Sequence, residues 1–365
     1  MNKYFASLLA SGCLLTACTL EAQSNYNVNA VIEPEFNNHM AYIVDWDDTT
    51  PLDSVIVSSG MARFQGHVDA PKMGRIMVGG KRGPIFVLEK GAVSIDAQGN
   101  STGTPQNDLL TALGDSLSNL VERINALDGE NPDHAALYPQ LLEKYNNFAT
   151  TAYEGNKGTP VGLYWFLQKA YEMNLDELDA AVKADPQLGE SARVKSVRNG
   201  LVAKQATMPG HKYLDFEVTY DGKKEHLSSY VQGDHYTLVD FWASWCGPCM
   251  RQTPFLKSLY EKYKDKGLEI VGVAVWDEPA NTLRAIKSHG ITWPCILNAQ
   301  TIPTDLYGIN GIPCIILIAP DGTIVSRDKM GNELVAEVDK VMEEYIQKKA
   351  AAAWAAEHPA KATEE

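Results

Sequence analysis

Cys246 and Cys249 follow an apolar run, Val239-Asp240-Phe241-Trp242-Ala243, and are separated by Gly247-Pro248. Two sulfurs at this spacing can do redox chemistry if the first sits in the opening turn of a helix. The unpaired backbone N–H groups and the helix dipole there stabilise a thiolate, which is the species that attacks a disulfide. Residues i and i+3 share a helix face, so Cys249 can close a small ring with Cys246 and resolve a mixed disulfide. The competing chemistry is a zinc half-site, which needs two further ligands at similar local spacing. The sequence offers none: Cys295 and Cys314 are isolated from each other, and no His pair stands near either. Trp245 and Pro248 suit a rigid, partly exposed helix start better than a metal knuckle. The pair reads as a redox site with no metal and no cofactor beyond its own disulfide.

At these residues the chain resembles thioredoxin, and about residues 208–346 resemble the TlpA/ResA-type branch of exported thioredoxin-like thiol–disulfide oxidoreductases. The likeness continues at Pro254, where the family helix is kinked, and at Gly311-Ile312-Pro313, where the family places a cis-proline beside the active site. It implies an α/β thioredoxin-like domain in which Cys246 is the nucleophile and Cys249 the resolving thiol. Trp245, Gly247, Pro248, Ile312 and Pro313 would contact substrate. Asp240 falls inside an apolar strand, where a carboxylate is costly without a role or partner. In the resemblance it matches a buried acid that shuttles the proton of the inner thiol. Cys314 departs from the Thr common after the cis-proline. It and Cys295 are each either an inert buried thiol or a further redox partner. The histidines are scattered, and none reads as catalytic.

The elements that must hold this site begin far upstream. Residues 26–106 carry short β-branched and aromatic runs broken by turn residues, such as Ala41-Tyr42-Ile43-Val44 and Ile85-Phe86-Val87-Leu88, and predict an all-β domain. Leu88-Glu89-Lys90-Gly91 and Gly103-Thr104 with Asn107, among other positions, resemble a small β domain that precedes the thioredoxin-like module in a group of bacterial lipoproteins. Over residues 107–206 the period lengthens. Leu109, Leu110, Leu113, Leu117, Leu120, Val121 and Ile124 form one stripe, and further stripes follow, with Asn174 and Glu177 as a capping pair. This predicts a helical connector between the β domain and the redox domain at 207–349. Within the latter, residues 236–242, 268–275 and 314–319 read as strands, 306–309 as a short helix, and Asp321-Gly322 as a hairpin turn. Residues 350–365 form a polar, Ala-rich tail.

Residues 1–17 carry Lys3 and then a short apolar run, the pattern of a signal peptide. Leu15-Thr16-Ala17-Cys18 resembles the bacterial lipobox, which implies lipidation at Cys18 and a tether over 18–25. A net charge of −14 argues against a nucleic-acid partner. Six cysteines are too few for a disulfide scaffold in 365 residues. Together these features predict an exported, lipid-anchored thiol–disulfide oxidoreductase, facing the periplasm of a Gram-negative-type cell envelope. It would reduce disulfide-containing proteins and be recharged by a membrane thiol donor. Two other classes stay open: a thiol peroxidase of the wider AhpC/TSA-like superfamily, and a non-catalytic binding lipoprotein.

Overall fold

The computed structural model describes residues 24–358, Gln232 apart, so the signal segment and Cys18 lie outside the described residues. The chain divides into two compact units between Glu172 and Met173.

The first unit opens with eight strands: β1 (Tyr26–Val31), β2 (Met40–Asp45), β3 (Pro51–Ile56), β4 (Met61–Gly66), β5 (Lys72–Val78), β6 (Lys81–Leu88), β7 (Gly91–Ile95) and β8 (Ser101–Thr102). They pair as two four-stranded sheets, in the orders β4-β1-β7-β8 and β3-β2-β5-β6. Side chains alternate across a strand, so each sheet turns one apolar face inward. Val28, Ala30, Ile43, Ile76, Phe86, Val93 and Ile95 meet in a single core.

Three helices complete this unit: α1 (Pro105–Asn125), α2 (Pro132–Glu154) and α3 (Pro160–Ala170). Asn107, fully buried, latches α1 to β6. Its Nδ2 donates to the Val87 carbonyl and to Thr104 Oγ1, both at 2.7 Å, while its Oδ1 accepts from Val87 N–H at 2.9 Å. Glu89 Oε1 accepts the Gln106 N–H at 2.9 Å. The Glu89 and Thr104/Asn107 positions singled out in the sequence are therefore structural ties. Between α2 and α3, Phe148 packs on Trp165 and Tyr153 on Phe166, each pair with ring centroids 5.1 Å apart.

The second unit begins with α4 (Leu175–Ala184), opened by the expected Asn174/Glu177 capping box, and α5 (Ala192–Ala206), capped by Ser191. The helices expected as one connector over 107–206 are thus shared out. Leu110, Leu120 and Leu141 are buried in the first unit, whereas Leu178, Leu188, Val194 and Val197 are buried in the second.

A hairpin, β9 (Glu217–Tyr220) and β10 (Lys223–His226), precedes the central elements: β11 (Tyr236–Trp242), α6 (Gly247–Tyr263), β12 (Leu268–Ala274), α7 (Pro279–His289), β13 (Cys295–Ile296), α8 (Ile302–Tyr307), β14 (Cys314–Ile318), β15 (Ile324–Arg327) and α9 (Gly331–Glu357). The short helix expected over 306–309 starts earlier, and Gly308, at φ +59°, ends it in the left-handed conformation open to glycine. Helix α9 continues well into the region read as a tail. The five strands order as β13-β12-β11-β14-β15, with β11 parallel to β12 and antiparallel to β14, which is the thioredoxin-like arrangement. Leu238, on one face of β11, packs with Leu256 and Leu259 of α6 and with Leu334, Val338 and Met342 of α9. Val239 and Phe241 face the opposite layer with Phe216, Tyr307 and Ile309. No described helix is long and apolar enough to cross a membrane.

Candidate active site

The β11 strand delivers the chain to the start of α6. Cys246 is the N-cap residue, and Pro248 stands in the first turn, where a missing N–H leaves no intrahelical bond unmade. Cys246 and Cys249 are joined by a disulfide with their Cα atoms 5.3 Å apart. The Cys249 N–H donates to Cys246 Sγ at 3.1 Å, so an otherwise orphaned helix donor is aimed at the outer sulfur. That hydrogen bond would favour a thiolate on Cys246 once the disulfide is opened.

The helix start is partly exposed, as expected, but its sulfurs are covered. Gly247 and Pro248 are exposed and Trp245 is 61% exposed, but Cys246 is only 3% and Cys249 only 2% exposed. The sulfur of Cys246 folds back over the helix N-terminus and lies 3.7 Å from the Ile312 carbonyl oxygen, which covers it from the other side. The Ile312–Pro313 peptide bond is cis, as the resemblance implied. Ile312, half-buried, packs against the same cluster as the two cysteines. The separated sequence positions are therefore one locus.

Asp240 lies two residues before Trp242 on β11, opposite Gly272 of β12 and Ile315 of β14. It is 6% exposed, and its Oδ1 has no hydrogen-bond partner among the described residues. Burial pushes its carboxyl up to about 7, because the low-dielectric interior penalises the charge. A carboxyl held there can accept or return a proton near neutral pH.

Two positioning groups, Asp277 and Trp276, escaped the sequence reading. Asp277, 4% exposed, accepts from the Ser244 N–H at 2.8 Å, the Ser244 hydroxyl at 2.9 Å, the Thr282 hydroxyl at 2.8 Å and the Glu278 N–H at 2.9 Å. It clamps Ser244, two residues before Cys246. Trp276 holds its carbonyl 3.0 Å from the Trp245 indole N–H and adopts φ +52°, an uncommon conformation for a bulky residue. The available signal was the position of Trp276-Asp277 just past a buried strand, at the strand ends where open α/β sheets gather functional loops.

Among the described residues, the two other thiols, Cys295 and Cys314, are free. Cys314 donates to Asp328 Oδ1 at 3.1 Å, and burial, reinforced by that carboxylate, raises its pKa. Cys295 packs against the cluster containing Cys246, Cys249 and Trp242. Burial and the nearby Asp240 charge push its thiol up to about 12. Among the described residues, no group of three or more His, Cys, Asp or Glu side chains is arranged to hold a metal ion.

Residues 209–327 match the AhpC/TSA family, and residues 26–110 match a domain of unknown function, DUF4369. The chain is similar to the thiol-disulfide oxidoreductase ResA of Bacillus subtilis (strain 168), with 32% identity over 29% of this chain and 58% of that protein. It is also similar to the ResA of Geobacillus thermodenitrificans (strain NG80-2), with 30% identity over 34% of this chain and 72% of that protein. The match thus spans less than two thirds of the Bacillus subtilis protein and more than two thirds of the Geobacillus one. Among solved structures, the thioredoxin domain of a thiol-disulfide oxidoreductase from Bacteroides vulgatus aligns with TM-score 0.33 and 28% identity, covering 37% of this chain and 97% of that one. The C-terminal domain of a thiol-disulfide oxidoreductase from Bacteroides thetaiotaomicron aligns with TM-score 0.34 and 26% identity, covering 38% and 98%.

Proposed function

Through its C-terminal unit the chain belongs to the ResA-type thiol–disulfide oxidoreductases, and on that premise we propose that it reduces protein disulfides by dithiol exchange through Cys246 and Cys249. The observation that carries this reading is the Cys246–Cys249 pair at the first turn of α6, beside Ile312, with a buried carboxyl near neutrality on the β11 strand that leads into it. In the reduced protein the Cys246 thiolate attacks one sulfur of the substrate disulfide. That S–S bond breaks, a mixed disulfide forms, and the first substrate sulfur leaves as a thiolate. Asp240, ionised, takes the proton of Cys249, directly or through water, and Cys249 attacks Cys246 Sγ. The second substrate thiolate leaves, and both substrate thiolates take up protons. Two electrons have passed to the substrate, and the protein holds its disulfide. Recharging requires two electrons from a thiol donor, which in an exported protein is a membrane protein.

The Gly247-Pro248 dipeptide and Asp240 support the reducing direction. Nothing basic lies between the cysteines to over-stabilise the Cys246 thiolate, which keeps the potential toward the thioredoxin end, about −270 mV, rather than the DsbA end, about −120 mV. The site in the fold, its substrate and its donor form one proposal with the anchor: a periplasm-facing lipoprotein held through Cys18, whose N-terminal β domain is a spacer or docking surface.

The test is a Cys249→Ser variant expressed in cells. It should accumulate mixed disulfides through Cys246, with proteins that Cys246→Ser does not capture. Equal capture by both variants would sink the dithiol reading. Faster consumption of peroxide than of disulfide by purified wild type would replace it with the peroxidase reading. A potential above about −150 mV would reverse the direction.

A further inference from the structure

Residues 308–313 join α8 to β14 and carry the Ile312 carbonyl that covers Cys246. The middle of this segment has little of its own to hold it: Asn310 and Gly311 are exposed, and a Cβ placed on Gly311 would meet nothing within 4 Å. Its two ends are held by consecutive residues at the close of β15, Arg327 and Asp328. At the leading end, Arg327 Nη2 donates to the Tyr307 carbonyl at 2.8 Å. Arg327 Nη1 donates to the Thr207 hydroxyl, which lies 3.2 Å from that same carbonyl. At the trailing end, Cys314 Sγ donates to Asp328 Oδ1 at 3.1 Å, and the Asp328 N–H donates to the Ile315 carbonyl at 2.9 Å.

The Asp328 carboxylate joins these two ends. Its Oδ2 stands 3.4 Å from Arg327 Nε, and the Arg327 side chain is buried, so the carboxylate is a countercharge to a cation shielded from water. The same oxygen stands 3.4 Å from Lys204 Nζ of α5, but that pair is half-exposed on both sides and contributes little. Asp328 itself adopts φ +63°, a left-handed conformation that Asp and Asn tolerate better than most residues. Thr207, Lys204 and Asp328 all lie outside the residues of family likeness, 209–327, so this joint is not something the likeness supplies.

We infer that Asp328 is a positioning residue for the exchange site: by holding Cys314 directly and Tyr307 through Arg327, it fixes both ends of the Ile312 segment and sets how closely the Ile312 carbonyl stands over the Cys246 sulfur. The consequence is control of access. A segment held in place screens Cys246 from small reagents and presents a pre-set edge to a docking polypeptide, whereas a loosened one does the reverse. The effect on a protein substrate rests on the proposed dithiol exchange; the cover over Cys246 does not.

The experiment uses the full chain, with Asp328→Gly, Cys314→Ala and Cys314→Ser variants whose folding is checked by thermal unfolding. Glycine removes the carboxylate without penalising the left-handed backbone. Alkylation of reduced Cys246 by iodoacetamide is followed by mass spectrometry of its peptide, at a pH where the rate has levelled off and ionisation no longer counts. Reduction of insulin, with dithiothreitol as donor, gives KM and kcat separately. Asp328→Gly should speed Cys246 alkylation and raise KM by about three- to tenfold each, with kcat within about twofold of wild type. Cys314→Ala should move both in the same direction by less, and Cys314→Ser, keeping a donor, should stay nearer wild type. In an Asp328→Gly background, Cys314→Ala should add nothing, because the contact is already gone.

Unmoved alkylation in Asp328→Gly, or an equal shift in Cys314→Ala and Cys314→Ser, would overturn the inference. A lower kcat at unchanged KM would do so too, since that is the mark of a general loss of structure. If Asp328→Gly does not fold, the two Cys314 variants decide, and unmoved alkylation in Cys314→Ala is the refuting result. Alkylation needs no turnover, so a chain inactive toward insulin would defeat the proposed function and leave this reading standing.

Discussion

Replacing Asp240 by Asn should make the C-terminal unit more stable above neutral pH, although the residue is placed in the catalytic machinery. The carboxyl is buried and is pushed from 3.8 to about 7 by that burial alone. At about 1.36 kcal/mol per unit, a rise of about 3 units corresponds to about 4 kcal/mol. Between those two values native Asp240 keeps a proton that the unfolded chain has lost. The native state therefore binds more protons, and stability falls as pH rises through this window, with the loss complete above about pH 7. Asn does not titrate, and to first order it leaves the same buried polar atoms unpaired as a neutral carboxyl. Its advantage should be near zero below about pH 4 and grow to about 4 kcal/mol by pH 8. The assay is urea unfolding of oxidised protein at several pH values. The transition that moves on adding dithiothreitol identifies the unit carrying the disulfide. A gap that is independent of pH, or an Asn variant less stable at pH 8, would refute the reasoning, while disulfide reduction should slow in the same variant.

Other perturbations separate local roles. Asp277→Ala removes a buried acceptor from four donors and should cost about 2–4 kcal/mol; Trp245 emission should shift and disulfide reduction should slow, both measurable on the same sample. Gly308→Ala would drive a Cβ into the Gly200 carbonyl and the Lys204 backbone of α5 from a left-handed position, which should cost roughly 2–4 kcal/mol in the C-terminal transition only. Asn107→Ala breaks the latch between α1 and β6 and should destabilise the N-terminal transition by about 2–4 kcal/mol. Its redox potential should remain that of wild type.

The parts of this protein legible in its sequence were those encoded locally. The cysteine spacing, the capping box at Asn174/Glu177, the turn at Asp321-Gly322 and the long apolar stripe of α1 each declare themselves within a few residues. The parts that escaped were made by register. Nothing in the sequence around Cys295 tells that β13 will set it over Gly272, and nothing around Asp277 tells that it will hold the loop ahead of Cys246. The same limit applies to the helices at 107–206. Their periodicity gave their existence but not which core each one fills, because Leu120 and Val194 look alike until the strands they pack against are known. The near-complete cover of Cys246 is also a tertiary effect, produced by Ile312 from a distant loop.

Arg327 shows where this redox unit must be cut if it is to be handled as a piece. Its guanidinium, on a residue only 8% exposed, donates through Nη1 to the hydroxyl of Thr207, at the C-terminal end of α5, and through Nη2 to the Tyr307 carbonyl at 2.8 Å. A fragment trimmed to the region of family likeness, 209–327, would lose Thr207, all of α5 and Asp328, whose carboxylate stands 3.4 Å from Arg327 Nε, and so most of what holds this guanidinium in place. It would also lose α9, whose Leu334, Val338 and Met342 close one face of the sheet. The stretch that relatives share is therefore shorter at both ends than the stretch that can shelter its own charge, and expression trials should begin at Met173 and keep α9.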